Sequence, residues 1–154
     1  IDFLIGIGKS VKGYHFLKES FRSSKMAIKY INVIRKIIGD KDKAVVDISK
    51  LGFFSYMMAK VEDKEELYAF LPESLQKLHQ HDVEKNGELI DTLECFLNHN
   101  QSIKKTSQLM FVHYRTVSYR IQKIVEITGM DFSNATEMLV VRNGLLVLRV
   151  LEEM

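Results

Sequence analysis

Two helical patterns separated by only three residues lie in the C-terminal half of the chain, around the stretch TSQLMFVHYRTVSYRIQKI at residues 106–124. Ser102 is a suitable N-cap for a first helix over residues 103–110. The residues FVH form the break, and a second helix over residues 114–128 ends at Gly129, which supplies a stop signal. Two helices joined by so short a turn predict a helix-turn-helix.

The second helix has one apolar and one polar side. At about 100° per residue, its apolar side consists of Val117, Ile121, Ile124 and Val125. Its opposite side consists of Arg115, Ser118, Tyr119 and Gln122, with Thr116 and Lys123 on a flank. Such a helix fits the DNA major groove. Any surface helix also has a solvated polar side, so the periodicity leaves both interpretations open.

Charge is unevenly distributed along the sequence. Residues 95–125 contain five Lys or Arg and no Asp or Glu, which gives a local net charge of +5. The flanking segments are acidic, with a net charge of −7 over residues 62–94 and −3 over residues 126–154. A basic window of this kind favours a polyanionic partner, although the whole chain carries only +2.

The side chains in this window suit contacts with duplex DNA. Arg can donate two bonds to guanine and Gln can pair with adenine, while phosphate contacts position the protein without reading sequence. The predicted DNA-binding residues are Lys104, Lys105, Thr106, His113, Tyr114, Arg115, Thr116, Ser118, Tyr119, Arg120, Gln122 and Lys123. The residues expected to face bases are Arg115 and Ser118. Those expected to hold phosphates are Lys104, Thr116, Tyr119, Arg120 and Lys123, and His113 either caps the second helix or touches phosphate.

The remaining pattern predicts a mainly α protein, a helical bundle with a helix-turn-helix that is preceded by a small α+β fragment. Residues 2–7 predict a buried strand, residues 14–38 a long basic helix, and KAVVDIS a second short strand. The acidic segment 60–66 is the best candidate linker. We therefore predict two domains, at residues 1–60 and 61–154.

The last predicted helix opens with Asn134 and Glu137 at capping-box spacing. It is then apolar on nearly every side, which favours either a central place in the core or packing against a partner chain.

Several other functions find little support in the sequence. No apolar run reaches the roughly 18 residues of a membrane span, and the single Cys95 suits the reducing cytoplasm as a buried structural thiol. His79 and His81 are two residues apart and point to opposite sides of a helix, so no metal site is predicted. We expect no cofactor and no enzymatic activity.

The segment TSQLMFVHYRTVSYRIQKIVEITGMDF resembles the C-terminal helix-turn-helix of the PucR/CdaR-type bacterial transcriptional regulators, whose motif begins T-A-x-x-L-F-V-H-R-N-T-L-x-Y-R-L. The matching positions are Thr106, Phe111, Val112, His113, Thr116, Tyr119, Arg120, Ile124, Thr128 and Gly129. The resemblance extends upstream through GELIDTLECFLNHN and downstream into the terminal helix. It implies sequence-specific binding of duplex DNA, as a homodimer on a two-fold site, by the C-terminal part of a regulator that responds to a metabolite. It also implies that the effector-sensing region is missing from this chain.

The chain departs from the family motif at the reading positions. Tyr114 and Arg115 replace the usual Arg-Asn, Ser107 replaces a small Ala, and Ser118 stands where a basic residue is common. Arg115 thereby becomes the leading candidate for a direct base contact.

In that family a degenerate GGDEF-like domain often precedes the DNA-binding domain. The segments LIGIG and AVVDI, with the basic helix between them, resemble the second half of such a domain. No Gly-Gly-Asp/Glu-Glu-Phe run exists in the chain, so cyclase activity is not predicted. The alternative from another class is a signalling or dimerisation module that acts through protein–protein contacts. Such a module should ignore DNA, whereas a DNA-binding protein should lose affinity as salt is raised.

Overall fold

The structure is a computed structural model that describes residues 3–38, 44–52, 54–55 and 63–154. The chain divides into two compact units. The first unit comprises Ile1–Tyr68 with Arg149–Met154, and the second comprises Ala69–Leu148. Eight α-helices and one two-stranded sheet occur in the described part, which confirms the predicted mainly α class. The predicted domain limits at residues 60 and 61 stay a prediction.

The first unit is a small β-α-β arrangement. Strands β1 (Ile5–Ile7) and β2 (Val45–Asp47) pair in parallel, with Ile5 opposite Val45. The helices between them in sequence are α1 (Leu17–Lys29) and α2 (Ile31–Ile38). A parallel pair needs such a crossover because its strands run in the same direction. Helix α3 (Lys64–Ala69) begins inside the segment that the sequence assigns to a linker.

The strand prediction was right about position and wrong about burial. A Cβ added to Gly6 would collide with the carbonyl oxygen of Ser24, so α1 lies directly against that side of β1. The opposite side carries Ile5 and Ile7, which remain 47% and 45% exposed. No described element covers that side, and a sheet with one covered face buries only every second residue.

The predicted helix over residues 14–38 is interrupted. A short 3-10 turn at Tyr14–Phe16 comes first, and the chain leaves helical geometry at Tyr30, where φ is −104° and ψ is 29°. Tyr30 is only 4% exposed. Burial of this ring is a tertiary contact, which the apolar periodicity along the sequence does not report.

The second unit is a bundle of α4 (Glu73–Lys85), α5 (Leu89–Asn98), α6 (Ile103–Leu109), α7 (Tyr114–Thr128) and most of α8 (Ala135–Glu153). Helix α7 packs against α4, α5 and α6. The core side chains of the bundle are almost fully buried: Leu75, Leu78, Leu93, Leu97, Val117, Ile124 and Val141. This core fixes which side of α7 can face solvent.

Helix α8 begins at its predicted cap, since the Asn134 side-chain oxygen accepts hydrogen bonds from the backbone N–H groups of Thr136 and Glu137, both at 3.1 Å. One side of its first half is buried, but Leu139 and Val140 are 60% and 47% exposed. The first half of α8 is therefore buried on one side and exposed to solvent on the other. None of the described helices combines the length and apolarity that a membrane crossing requires.

Candidate nucleic-acid interface

The supporting helix α6 presents two lysines at its first turn. The Ser102 hydroxyl accepts a hydrogen bond from the Lys105 backbone N–H at 3.3 Å, which satisfies one of the unpaired donors at the start of the helix. Lys104 and Lys105 are both exposed there. The N-terminal end of a helix already carries partial positive charge, so the two ammonium groups add to a field that attracts anions.

The turn between α6 and α7 is held by backbone hydrogen bonds. The Val112 N–H donates to the Ser107 carbonyl at 3.1 Å, and Phe111 adopts the left-handed region with φ of 55°. Glycine usually fills such a position because L side chains are strained there. Phe111 is nevertheless 96% exposed, so its ring finds no packing in the second unit.

His113 is the N-cap of α7. Its Nδ1 accepts a hydrogen bond from the Arg115 backbone N–H at 3.2 Å, and its backbone is extended. Of the two predicted roles, the structure supports the cap directly. A neutral ring that accepts through Nδ1 carries its hydrogen on Nε2. His113 is exposed, so that N–H is also available to an acceptor such as a phosphate.

The recognition helix α7 turns its predicted polar side to solvent. Val117 and Ile124 are fully buried, whereas Arg115, Ser118, Tyr119 and Gln122 are exposed. Helix α7 ends as predicted at Gly129, whose φ is 70°. The exposed row is free of carboxylates, because residues 95–125 contain none.

Two flanking residues are less exposed than this row. Thr116 is half-buried, and the Lys123 ammonium lies 3.2 Å from the Glu126 carboxylate. An exposed pair of this kind contributes about 0–1 kcal/mol. Lys123 can therefore exchange Glu126 for a phosphate at little cost.

Two predicted DNA-binding residues lie away from the exposed row of α7, which argues against the contacts predicted for them. Thr106 is fully buried inside the bundle. The Arg120 guanidinium bonds inward, with Nη2 2.7 Å from Glu88 Oε2 and Nη1 3.2 Å from Thr92 Oγ1. Arg120 lies closer around the helix axis to the buried side than to Arg115, and its partners come from a segment 28 or more residues earlier. Helical spacing alone could not identify them.

Sequence reasoning also missed three residues that shape this region. Glu88 and Thr92 belong to the segment before the motif, and only their position next to Arg120 makes them relevant. The exposure of Phe111 was hidden because an apolar residue beside a helix is usually buried. The position of Arg120, next to the apolar side of α7 in the helical period, was the available signal that it has a partner on a neighbouring helix.

Cys95 is half-buried rather than fully enclosed. Its Sγ lies 3.7 Å from His99 Nδ1, and burial raises the pKa of the thiol. A raised pKa keeps the thiol protonated and poorly nucleophilic, in line with a structural role. Within the described ranges, no three His, Cys, Asp or Glu side chains lie close enough together to hold a metal ion.

Residues 89–147, which include α5, α6, α7 and the first part of α8, match the family described as the PucR C-terminal helix-turn-helix domain. This segment of the chain is a PucR C-terminal helix-turn-helix domain. The assignment made from the motif residues is thereby confirmed. The matched segment contains every residue of the predicted DNA-binding set.

Three proteins that are similar to this chain are named as transcriptional activators or regulators. The chain is 32% identical over 130 residues, 84% of its length, to the proline-responsive transcriptional activator PutR of Bacillus subtilis (strain 168). It is 24% identical over 136 residues, 88% of its length, to the DNA-binding transcriptional activator AdeR of the same organism. It is 38% identical over 52 residues, 34% of its length, to the carbohydrate diacid regulator of Escherichia coli (strain K12). The chain spans 30% of PutR, 31% of AdeR and 14% of the diacid regulator.

Proposed function

We propose that this chain binds duplex DNA in a sequence-specific manner through α7, as the C-terminal part of a metabolite-responsive bacterial transcription regulator that works in the cytoplasm. The observation that carries the proposal is the row of exposed polar side chains on α7, in a basic window free of acids, on a helix whose opposite side is anchored in the core. A helix-turn-helix places the start of its second helix against base edges.

Each exposed residue has a proposed role. Arg115 reads a base through its guanidinium, and Ser118 and Gln122 read further base edges along the same row, with Tyr114 at the start of the helix. The groups proposed to hold phosphates are Lys104, Lys105, His113, Thr116, Tyr119 and Lys123. Thr106 is left out because it is fully buried, and Arg120 because its guanidinium is bonded to Glu88 and Thr92.

Salt dependence tests the phosphate contacts. Three proposed lysines in each of two protomers release about six counterions, so binding should weaken about a thousandfold between roughly 50 and 200 mM salt. Lys104→Ala should flatten the slope of log Kobs against log[salt] by about 0.9 per protomer. Lys77→Ala is the matched control, because its ammonium already pairs with Glu73 at 2.7 Å on α4. Fluorescence anisotropy with a labelled duplex measures all three slopes, and equal slopes for the two variants would contradict the assignment of Lys104.

The metabolite signal is proposed to enter through a region outside these 154 residues. PutR is named as proline-responsive and the Escherichia coli relative as a carbohydrate diacid regulator, and the chain spans less than a third of either.

A homodimer on a two-fold DNA site is the proposed assembly. Leu139 and Val140 form an exposed apolar pair on α8, one helical turn from Thr136 and Asn143 on the same side. A second copy that covered this pair would link two recognition helices, and linkage of two sites raises apparent affinity by about 100-fold or more.

Leu139→Asp should disrupt this dimer, because it would place a charge in the proposed apolar contact. We expect sedimentation at the monomer mass and about 100-fold weaker binding to a two-fold site. Val83→Asp, which places the same charge at a 70% exposed apolar position on α4, should have a much smaller effect on either quantity. An unchanged mass for Leu139→Asp would exclude this side of α8 from the dimer contact.

The first unit is proposed to be the C-terminal part of a degenerate GGDEF-like domain. Its parallel β-α-β arrangement and its exposed apolar strand residues suit a sheet that continues elsewhere. The similarity to PutR covers 130 residues, more than residues 69–154 supply, so it includes part of this unit. The uncovered face of the sheet, where the described residues leave Ile5 and Ile7 exposed, would be covered by a further layer of such a domain.

The alternative function is a module that acts through protein–protein contacts. The observation in its favour is the apolar exposure on α1, where Leu17 and Phe21 are 61% and 62% exposed. The salt experiment discriminates, because a protein-only module would retain no duplex at about 50 mM salt.

A further inference from the structure

The inward arginine of the recognition helix forms a three-residue network. Arg120 reaches the Glu88 carboxylate at 2.7 Å and the Thr92 hydroxyl at 3.2 Å, and its side chain is only 19% exposed. The Thr92 hydroxyl donates its own hydrogen to the Glu88 carbonyl at 2.6 Å, and Thr92 is fully buried. Each member of the network is therefore bonded to the other two.

The network joins two helices at defined points. Glu88 immediately precedes α5 and Thr92 lies in its first turn, while Arg120 lies near the middle of α7. A guanidinium is a planar, rigid fork, and its two bonds are satisfied in only one orientation. The apolar anchors Val117 and Ile124 hold α7 against the bundle but are less directional, since dispersion and burial have no preferred angle. The network therefore adds a directional restraint on the rotation of α7 about its own axis, beside the packing of Val117 and Ile124.

Rotation of α7 decides which side chains reach a DNA groove. Arg115 and Arg120 are five residues apart, which places them about 140° apart around the axis. With Arg120 held against α5, Arg115 must project away from the bundle. A small rotation would carry Arg115 and Ser118 off the base edges, while Lys104 on α6 would stay in place.

We propose that Arg120 is a positioning residue for DNA recognition, which acts through Glu88 and Thr92 to set the rotation of α7 and touches no phosphate itself. The proposal rests on the proposed function. Loss of the network lowers discrimination between the correct site and other DNA by at least about fivefold, the lower limit of what one good base contact contributes. The salt slope stays nearly unchanged, because Lys104 and Lys105 lie on α6 and the long Lys123 side chain can still reach a phosphate after a small rotation of α7.

The test compares the full chain with the variants Arg120→Ala, Arg120→Lys, Glu88→Ala and the double variant Arg120→Ala with Glu88→Ala. Two quantities are measured for each by anisotropy: the ratio of affinities for the selected site and a scrambled duplex, and the slope against salt. Lys104→Ala is the matched control, since it should flatten the slope and leave the ratio unchanged. If Arg120 served only the stability of the fold, its variants would have a lower melting temperature, but the ratio of affinities would not fall while the salt slope stayed the same.

We expect a lower ratio and an unchanged slope for all of the Arg120 and Glu88 variants. Arg120→Lys should share this loss, because a single ammonium cannot bond both partners in the same plane. The double variant should be no worse than either single one, since the two residues act as one unit.

Two results would overturn the proposal while leaving the proposed function intact. In the first, Arg120→Ala flattens the slope as Lys104→Ala does and Arg120→Lys behaves as the unaltered chain, which would identify a phosphate contact. In the second, the ratio is unchanged in both Arg120→Lys and Glu88→Ala. If the unaltered chain retained no duplex even at about 50 mM salt, the proposed function itself would fail.

Discussion

Replacement of Arg115 and Ser118 together by alanine is expected to abolish selective DNA binding while the protein stays folded. Both side chains are exposed on α7, so their removal leaves no cavity and changes stability by about 0.5 kcal/mol or less. One good base contact contributes about 1–3 kcal/mol of discrimination. Loss of the contact from each half of a two-fold site then lowers the preference for the correct sequence by about 30-fold or more.

The measurement is a pull-down of genomic fragments followed by sequencing, with the unaltered chain and the double variant side by side. The unaltered chain should enrich a partly palindromic motif, and the variant should retain DNA at low salt without a motif. Gln108→Ala is the matched control, because Gln108 is also exposed and lies on the supporting helix. If the double variant still enriched the same motif, the polar row of α7 would not be the reading surface.

Ile124→Ala is expected to destabilise the second unit by about 2–5 kcal/mol, since it removes a fully buried side chain and leaves a cavity. Ile124 lies on the helix that packs against α4, α5 and α6, so the cavity weakens the packing between these helices. Typical domains have a stability of about 5–15 kcal/mol, and the change therefore removes a large part of it.

Urea denaturation followed by circular dichroism measures the free energy of unfolding for this variant. Val125→Ala, at the neighbouring and 38% exposed position, should cost less than about 1 kcal/mol. DNA binding by Ile124→Ala should be lost at temperatures where the unaltered chain still binds. Equal costs for the two variants would mean that α7 is not anchored through Ile124.

The helix-turn-helix could be predicted because its determinants are local. Ser102 caps α6, His113 caps α7 and Gly129 ends it, and each acts within a few residues of its own position. The outward row followed from the helical period, which separates Arg115 and Ser118 from Val117 and Ile124. Its charge environment followed from composition, since no acid occurs in residues 95–125.

The errors lie where distant residues determine the outcome. Residues 2–7 predicted a buried strand, but burial of Ile5 and Ile7 requires a layer that no local pattern supplies. The helical period continued through Tyr30, where the chain bends and the ring is buried. In both places the competition is between local preference and packing, and packing decides.

The sequence by itself determined the family, the caps and period of the recognition helix, and the row of side chains that it presents. The tertiary structure alone decided that Arg120 bonds to Glu88 and Thr92 rather than facing outward, that Thr106 is buried and that Phe111 is exposed. The physical reason is that helical periodicity fixes angles around one axis, whereas the partner on each side depends on how the helices pack. An arginine at the border of the two sides bonds to whichever carboxylate the fold places within reach.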